Sequence, residues 1–237
     1  GKYPEILKDD IVGSQAGDLF NDGNKLLDKI VKRKLLVADG LFGIFPARRT
    51  DHEDITIYSD ESLTRKILTW YGVRQQSKKP RDEKNKCLAD YVSPLNQDRK
   101  DYLGVFFVTI NGSHKLAQEF EKQDDDYNSI MVKALADRLV ESFAEYLHQL
   151  VRKEFWGYAS NENLKPSELI KEQYQGIRPA PGYPACPDHS IKSTLAKFLN
   201  VNEIGISLTD NLAMDPASSI CGFYFWHPES CYFNVGK

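Results

Sequence analysis

The sequence predicts a single α+β domain with a mainly antiparallel sheet flanked by helices, including one long central helix. Three observations carry that prediction. Strand-like and helix-like segments do not alternate regularly along the 237 residues, as a parallel βαβ fold would require. Apolar residues recur at helical spacing from about Tyr127 to Phe155. Leu103 to Ile110 is rich in β-branched and aromatic residues, with Gly104 near its start and Asn111-Gly112 at its end, the pattern of a buried central strand.

The elements follow in chain order. Residues 14 to 34 place Ala16, Leu19, Phe20, Leu26, Leu27, Ile30 and Val31 at helical spacing, with Asp18, Asp22, Lys25 and Lys29 on other faces, which predicts an amphipathic helix. Gly40 to Pro46 and Asp54 to Tyr58 read as two strands paired with one another. In the long helix the repeat is Ile130, Ala134, Leu135, Leu139, Phe143, Tyr146, Leu147, Leu150 and Val151. At about 1.5 Å per residue this helix runs for roughly 40 Å. Ser167-Glu168-Leu169-Ile170 opens a shorter helix that ends before Gly176, and Ser193 to Leu199 forms another. Ile204 to Leu208 and Gly222 to Phe225 read as further strands.

Composition excludes several classes. The chain is 41% hydrophobic and 27% charged, ordinary values for a globular protein, and no linker or repeat divides it. A net charge of −3 exerts no overall pull toward nucleic acid. Lys78, Lys79, Arg81, Lys84 and Lys86 cluster locally, either as a solvated loop or as a docking surface for an acidic partner. Four cysteines do not make a disulfide scaffold, and no apolar run has membrane-spanning length. Asn111-Gly112-Ser113 fits a glycosylation acceptor, but nothing else points to secretion, so the expected location is a reducing cytoplasm. The chain opens on Gly1-Lys2-Tyr3-Pro4 without an initiator methionine and reads as a domain excised from a larger polypeptide, spanning 1–237 and truncated at both ends.

The most informative stretch is Gly176 to Pro187, with four prolines and two glycines in twelve residues. Arg178, Ala180, Tyr183 and Cys186 each precede a proline, which biases them away from helix and predicts a stiff, extended ribbon. Between Arg178 and Pro184, backbone N–H donors remain at Ala180, Gly182 and Tyr183 once the prolines are removed. Such a ribbon cannot be a central strand, but it can hold a cation, a ring and main-chain groups in a row beside a small ligand. The plainer reading is a loop that covers a core. No H-E-x-x-H, phosphate loop, G-x-S-x-G or Cys-x-x-Cys is present, and no catalytic residue is assigned. Cys186, His189, Cys221 and Cys231 lack the paired spacing of a structural zinc site, so core or loop packing is expected of the cysteines, and no metal is assigned. The five histidines, His52, His114, His148, His189 and His227, read as structural or solvated.

Arg178 to Tyr183 is an instance of R-x-x-x-G-Y, and it stands among other blocks in a fixed order. These are Gly43-Ile44-Phe45-Pro46-Ala47-Arg48-Arg49, Val73-Arg74-Gln75-Gln76, Cys87-Leu88-Ala89-Asp90-Tyr91, Asp125-Asp126-Tyr127-Asn128, Lys133 to Leu139, Trp156-Gly157-Tyr158-Ala159 and Leu208 to Met214. Together they resemble the S-adenosylmethionine-binding activation domain of cobalamin-dependent methionine synthase over essentially the whole chain.

The resemblance implies a part of a methyltransferase that positions S-adenosylmethionine for reductive methylation of cob(II)alamin to methylcobalamin. It implies that the chain alone does not turn over. The cobalamin is held by a neighbouring domain, and the electron comes from flavodoxin or a flavoprotein reductase. It implies no partner of nucleic acid or membrane. Arg178 is expected at the ligand carboxylate, where a guanidinium fork binds both oxygens, although a surface ion pair would also explain it. Glu141 and Glu172 are expected near the ammonium and sulfonium; from sequence alone Glu141 also reads as a solvated helix residue beside Arg138 and Glu145. Ala180, Gly182 and Tyr183 are expected at the adenine and ribose. Tyr232 and Phe233 fall where the family usually carries two tyrosines, so the second hydroxyl is missing. The family also places an aspartate ligand before Gly1 and further helix after Lys237. A non-catalytic module that kept the fold but lost the ligand is the rival reading, and a stand-alone small-molecule methyltransferase is a third.

Overall fold

The computed structural model describes residues 3–50 and 53–236. Helix α1 spans Gly13–Arg33 and is followed by strands β1 (Val37–Arg49), β2 (Asp54–Tyr58), β3 (Lys66–Tyr71) and β4 (Tyr102–Asn111). Next come α2 (Ser113–Glu121), α3 (Asp126–Leu150), α4 (Pro166–Ile170) and α5 (Ile191–Leu199). The short strands β5 (Ser207–Leu208) and β6 (Met214–Asp215) pair with each other, and β7 (Ser219–Tyr224) completes the main sheet. That sheet has five strands in the order β3-β2-β1-β4-β7, all neighbours antiparallel.

The expected pairing of Gly40–Pro46 with β2 is corrected. That stretch pairs with β4, from Val37↔Asn111 to Pro46↔Tyr102, and only Ala47–Arg49 of β1 reach β2. Pro46 sits at the handover, where a residue without an N–H costs least. β4 alternates as a strand buried on both faces should. Leu103, Val105 and Phe107 enter one core with Ile55, Trp70 and Phe223, while Phe106, Val108 and Ile110 enter a second beneath α3. Cys87, Cys186 and Cys221 lie in the first core, and burial pushes the thiols of Cys186 and Cys221 up to about 12, so they pack rather than react. The Asn111 amide donates to Asp39 and to the Ile204 carbonyl, so the apparent glycosylation acceptor is engaged inside the fold.

The long helix is present. Asp125 caps it by accepting from the Asn128 N–H at 3.0 Å, and a π-helical turn, Val151–Phe155, extends it. Its buried face differs from the expected stripe. Val132, Ala136, Val140, Ala144, Leu147 and Val151 face the core, whereas Ile130 and Tyr146 are exposed. Small residues at 136 and 144 let the helix lie close to the sheet, an advantage that bulk-weighted periodicity does not register. On α1 the buried apolar residues are Leu26 and Ile30, and Leu19, Phe20 and Val31 remain exposed. The expected strand at Ile204–Leu208 shortens to Ser207–Leu208, because Val201–Ile204 forms a 3-10 turn. Among the described residues no helix is long and apolar enough to cross a membrane.

Candidate functional site

The proline-rich ribbon lies along the free edge of β7. Ile177 and Phe225 exchange two backbone hydrogen bonds of 2.9 and 3.0 Å, and the Phe223 N–H donates to the Pro179 carbonyl at 2.9 Å. An edge position suits a segment that cannot donate at Pro179 and Pro181. Gly222 makes the approach possible, since a Cβ there would lie 2.8 Å from the Pro179 oxygen.

The expectation of an extended ribbon holds as far as Ala180. The chain then turns sharply: Gly182 N–H donates to the Cys186 carbonyl at 2.7 Å, Tyr183 N–H to Ala180, and Cys186 N–H to Tyr183. Gly182 has φ +95° and would place a Cβ 2.1 Å from the His189 ring, so only glycine fits. Of the three predicted backbone donors, two are therefore spent in the turn. The Ala180 N–H has no acceptor among the described residues.

Between this ribbon and α3 lies a cleft of about 500 Å³, a volume suited to a small organic ligand. One wall is helical, from Glu141 and Ala144. The facing wall comes from Arg178, Pro179, Ala180 and Tyr183, and the C-terminal segment Tyr232–Asn234 closes a third side. Phe106 of β4 and Ile220 of β7 contribute apolar surface. Six of the eight expected ligand residues thus meet: Arg178, Ala180, Tyr183, Glu141, Tyr232 and Phe233. Gly182 shapes the turn without lining the cleft, and Glu172, exposed at φ +53° just after α4, lies outside the lining. Glu141 makes no ion pair among the described residues, which disfavours its reading as half of a surface pair with Arg138.

Beneath the cleft is a polar cluster that sequence reasoning missed. Arg178 Nη1 donates to Glu145 Oε2 at 2.6 Å and to the Tyr174 hydroxyl at 2.7 Å, and the Arg178 N–H donates to the Tyr232 hydroxyl at 3.0 Å. Burial would lower the Arg178 pKa, but Tyr174 and Glu145 more than offset this and raise it, so the guanidinium stays charged. Arg152, fully buried, grips Glu162 through Nε and Nη2 at 2.6 and 2.8 Å and lies 3.9 Å over the Tyr174 ring. Residues 141, 145, 148 and 152 are spaced 4, 3 and 4 apart, which puts them on one face of the helix. That spacing was the available signal.

His148 is buried within this cluster, stacked on Tyr224 at 5.0 Å, and neither ring nitrogen has a hydrogen-bond partner among the described residues. Burial, with the charges of Arg152 and Arg178, holds its pKa well below 6.5. As the pH falls below 6.5, the unfolded chain takes up a proton that the folded chain refuses. The folded state keeps its full stability above that value and loses stability as the pH falls below it. Urea unfolding at pH 7.5 and 5.5 should show the folded state weakening on acidification, and His148→Phe should make that difference smaller. An unchanged difference in the variant would refute this. His114, His189 and His227 lie outside the cleft lining, and His52 falls outside the described residues.

Fold and cleft define the class: an α+β domain with a cleft between a long helix and a proline-stiffened sheet edge. The family of vitamin B12-dependent methionine synthase activation domains matches residues 1–237, and the chain belongs to it. A solved structure of similar sequence, the MetH reactivation domain bound to AdoHcy, shares 52% identity and superposes with a TM-score of 0.94, covering 99% of this chain and 72% of that one.

Proposed function

We propose that this chain binds S-adenosylmethionine in the cleft and presents its methyl group for reductive methylation of a cobalamin held by a neighbouring domain. The observation that carries the reading is the open edge of Arg178. Its Nε and Nη2 make no hydrogen bond with the described residues, and the residue lines the same cleft as Glu141, whose carboxylate makes no ion pair among the described residues. A zwitterionic amino-acid end fits between such groups, with the ligand carboxylate on the arginine and the cationic centres toward Glu141. The apolar surface of Phe106 and Ile220, with Tyr183 and the spare Ala180 N–H, suits an adenosine. Glu172, just outside the lining, and Gly182, through the turn it permits, serve at the margin. The AdoHcy held by the similar MetH domain supports the same ligand class here.

Cobalamin, when bound by its own domain, supplies the cobalt that takes up the methyl group. This chain contributes placement: it orients the sulfonium, fixes the carboxylate and screens the ligand from water, the kind of contribution that proximity makes to a transfer step. The activity thus belongs to a multidomain methyltransferase rather than to the chain alone. Calorimetric titration with S-adenosylmethionine tests the reading. Heat of binding that disappears in Arg178→Ala supports it. No heat in either protein favours the module that kept the fold and lost the ligand.

The reductant, flavodoxin or a flavoprotein reductase, docks by this reading at the basic loop 78–86. That loop and the residues just before it are tied to the C-terminal side of the cleft: Gln76 N–H donates to the Val235 carbonyl, Gln75 Nε2 to the Asn234 carbonyl, and Lys86 Nζ to Cys231 Sγ. Lys79 is occupied with the Lys84 carbonyl, whereas Lys78 and Arg81 are exposed. Lys78→Glu with Arg81→Glu should weaken binding of an acidic flavodoxin about tenfold at low salt and hardly at all at high salt. Equal affinity at every ionic strength would reject this docking site.

A further inference from the structure

We propose that Glu145, assisted by Tyr174, is a positioning residue that turns the free edge of Arg178 toward the cleft, an inference resting on the reading that Arg178 receives the ligand carboxylate. The argument begins with hydrogens. Nη1 of an arginine carries two, and both are engaged, one by Glu145 Oε2 at 2.6 Å and the other by the Tyr174 hydroxyl at 2.7 Å. What remains is the Nε and Nη2 edge. The same molecule shows what that edge does with a carboxylate: Arg152 uses Nε and Nη2 to hold Glu162 at 2.6 and 2.8 Å. Arg178 presents the identical fork, and among the described residues no carboxylate occupies it.

The charges continue the argument. Glu162, Arg152, Glu145 and Arg178 alternate in sign, and the series ends on an open cation at the cleft. Two carboxylates on one guanidinium would ordinarily compete. Arg152 Nη1 lies 3.7 Å from the other oxygen of Glu145, so part of that negative charge is already countered from behind. Positioning therefore outweighs competition. Without Glu145 the arginine would regain rotamers that binding must freeze again. Tyr174 is fixed in turn, with Arg152 over its ring and His148 edge-on at 5.1 Å.

Titration of the 237-residue chain with S-adenosylmethionine and with decarboxylated S-adenosylmethionine tests this. The second probe lacks only the group that Arg178 is expected to hold. Glu145→Ala should weaken the first probe about tenfold and leave the second within twofold. Glu145→Gln, which keeps an acceptor oxygen, should stay within about threefold for both, and Tyr174→Phe should weaken the first probe about threefold. Equal losses for the two probes in Glu145→Ala would make the residue merely structural, and unchanged or tighter S-adenosylmethionine binding would mean charge competition wins. Either result overturns the proposal. Arg178→Ala separates the two levels. Should it weaken both probes equally, the carboxylate reading falls and this inference with it. A selective loss in Arg178→Ala without one in Glu145→Ala removes the positioning role alone.

Discussion

Arg178→Ala is expected to weaken S-adenosylmethionine binding by about a hundredfold or more while leaving the fold nearly intact. A guanidinium fork on a carboxylate makes two charge-assisted hydrogen bonds. At about 1.5 kcal/mol each, or somewhat more, they sum to roughly 3 kcal/mol. The side chain is 19% exposed and its partner Glu145 is 22% exposed, so the ion pair they form within the protein is partly screened. Once Arg178 is gone, Glu145 still faces Arg152 at 3.7 Å and is not stranded. Arg178→Lys should recover only part of the loss, because an ammonium keeps the charge but not the planar fork. Calorimetry reads the affinity and a melting curve reads the fold. Affinity within threefold of the original would show that the ligand carboxylate lies elsewhere.

Arg152→Ala should produce the largest loss of stability. Arg152 is completely buried and Glu162 is 6% exposed, so the substitution leaves a carboxylate in the interior without its bidentate partner. Breaking a buried pair from one side costs about 3–5 kcal/mol, and the cation over Tyr174 is lost as well. For a domain of this size that corresponds to a melting temperature lower by roughly 10 °C. Glu162→Ala should cost a similar amount, and replacing both residues by methionine should cost less than either alone, because no charge is then left unpaired. A single substitution costing under about 1 kcal/mol would contradict the burial that the structure assigns to the pair. Tyr174 links this pair to Arg178, so Arg152→Ala should also loosen Arg178.

Much of the cleft lining was legible before folding was known. The R-x-x-x-G-Y ribbon, Glu141 and the Tyr232-Phe233 pair are far apart in the chain, yet they line one cleft. The family pattern supplied that grouping. Composition and periodicity would have left Glu141 on a solvated helix face. The existence of α3 and of β4 was also legible, since a long helical repeat and a run of alternating buried side chains are local properties. Which face of α3 is buried was not. Counting bulky residues pointed to Ile130 and Tyr146, and the sheet instead took the face where Ala136 and Ala144 permit close approach.

Glu145 and Tyr174 show the limit most plainly. Each looks like an ordinary polar residue in its own segment, and nothing local announces that they meet on the same nitrogen of Arg178. The backbone donors of the ribbon make the same point, because two of the three turned inward to close a loop. The sequence by itself determined the α+β class and the proline-stiffened edge with its arginine and tyrosine, all of which depend on side-chain chemistry and short-range backbone restriction. Only the tertiary structure decided which edge of Arg178 stays open and which carboxylate holds the other. Tyr174 is four residues from Arg178, but the Glu145 contact joins residues 33 positions apart and exists only once α3 and the ribbon pack against the same cleft.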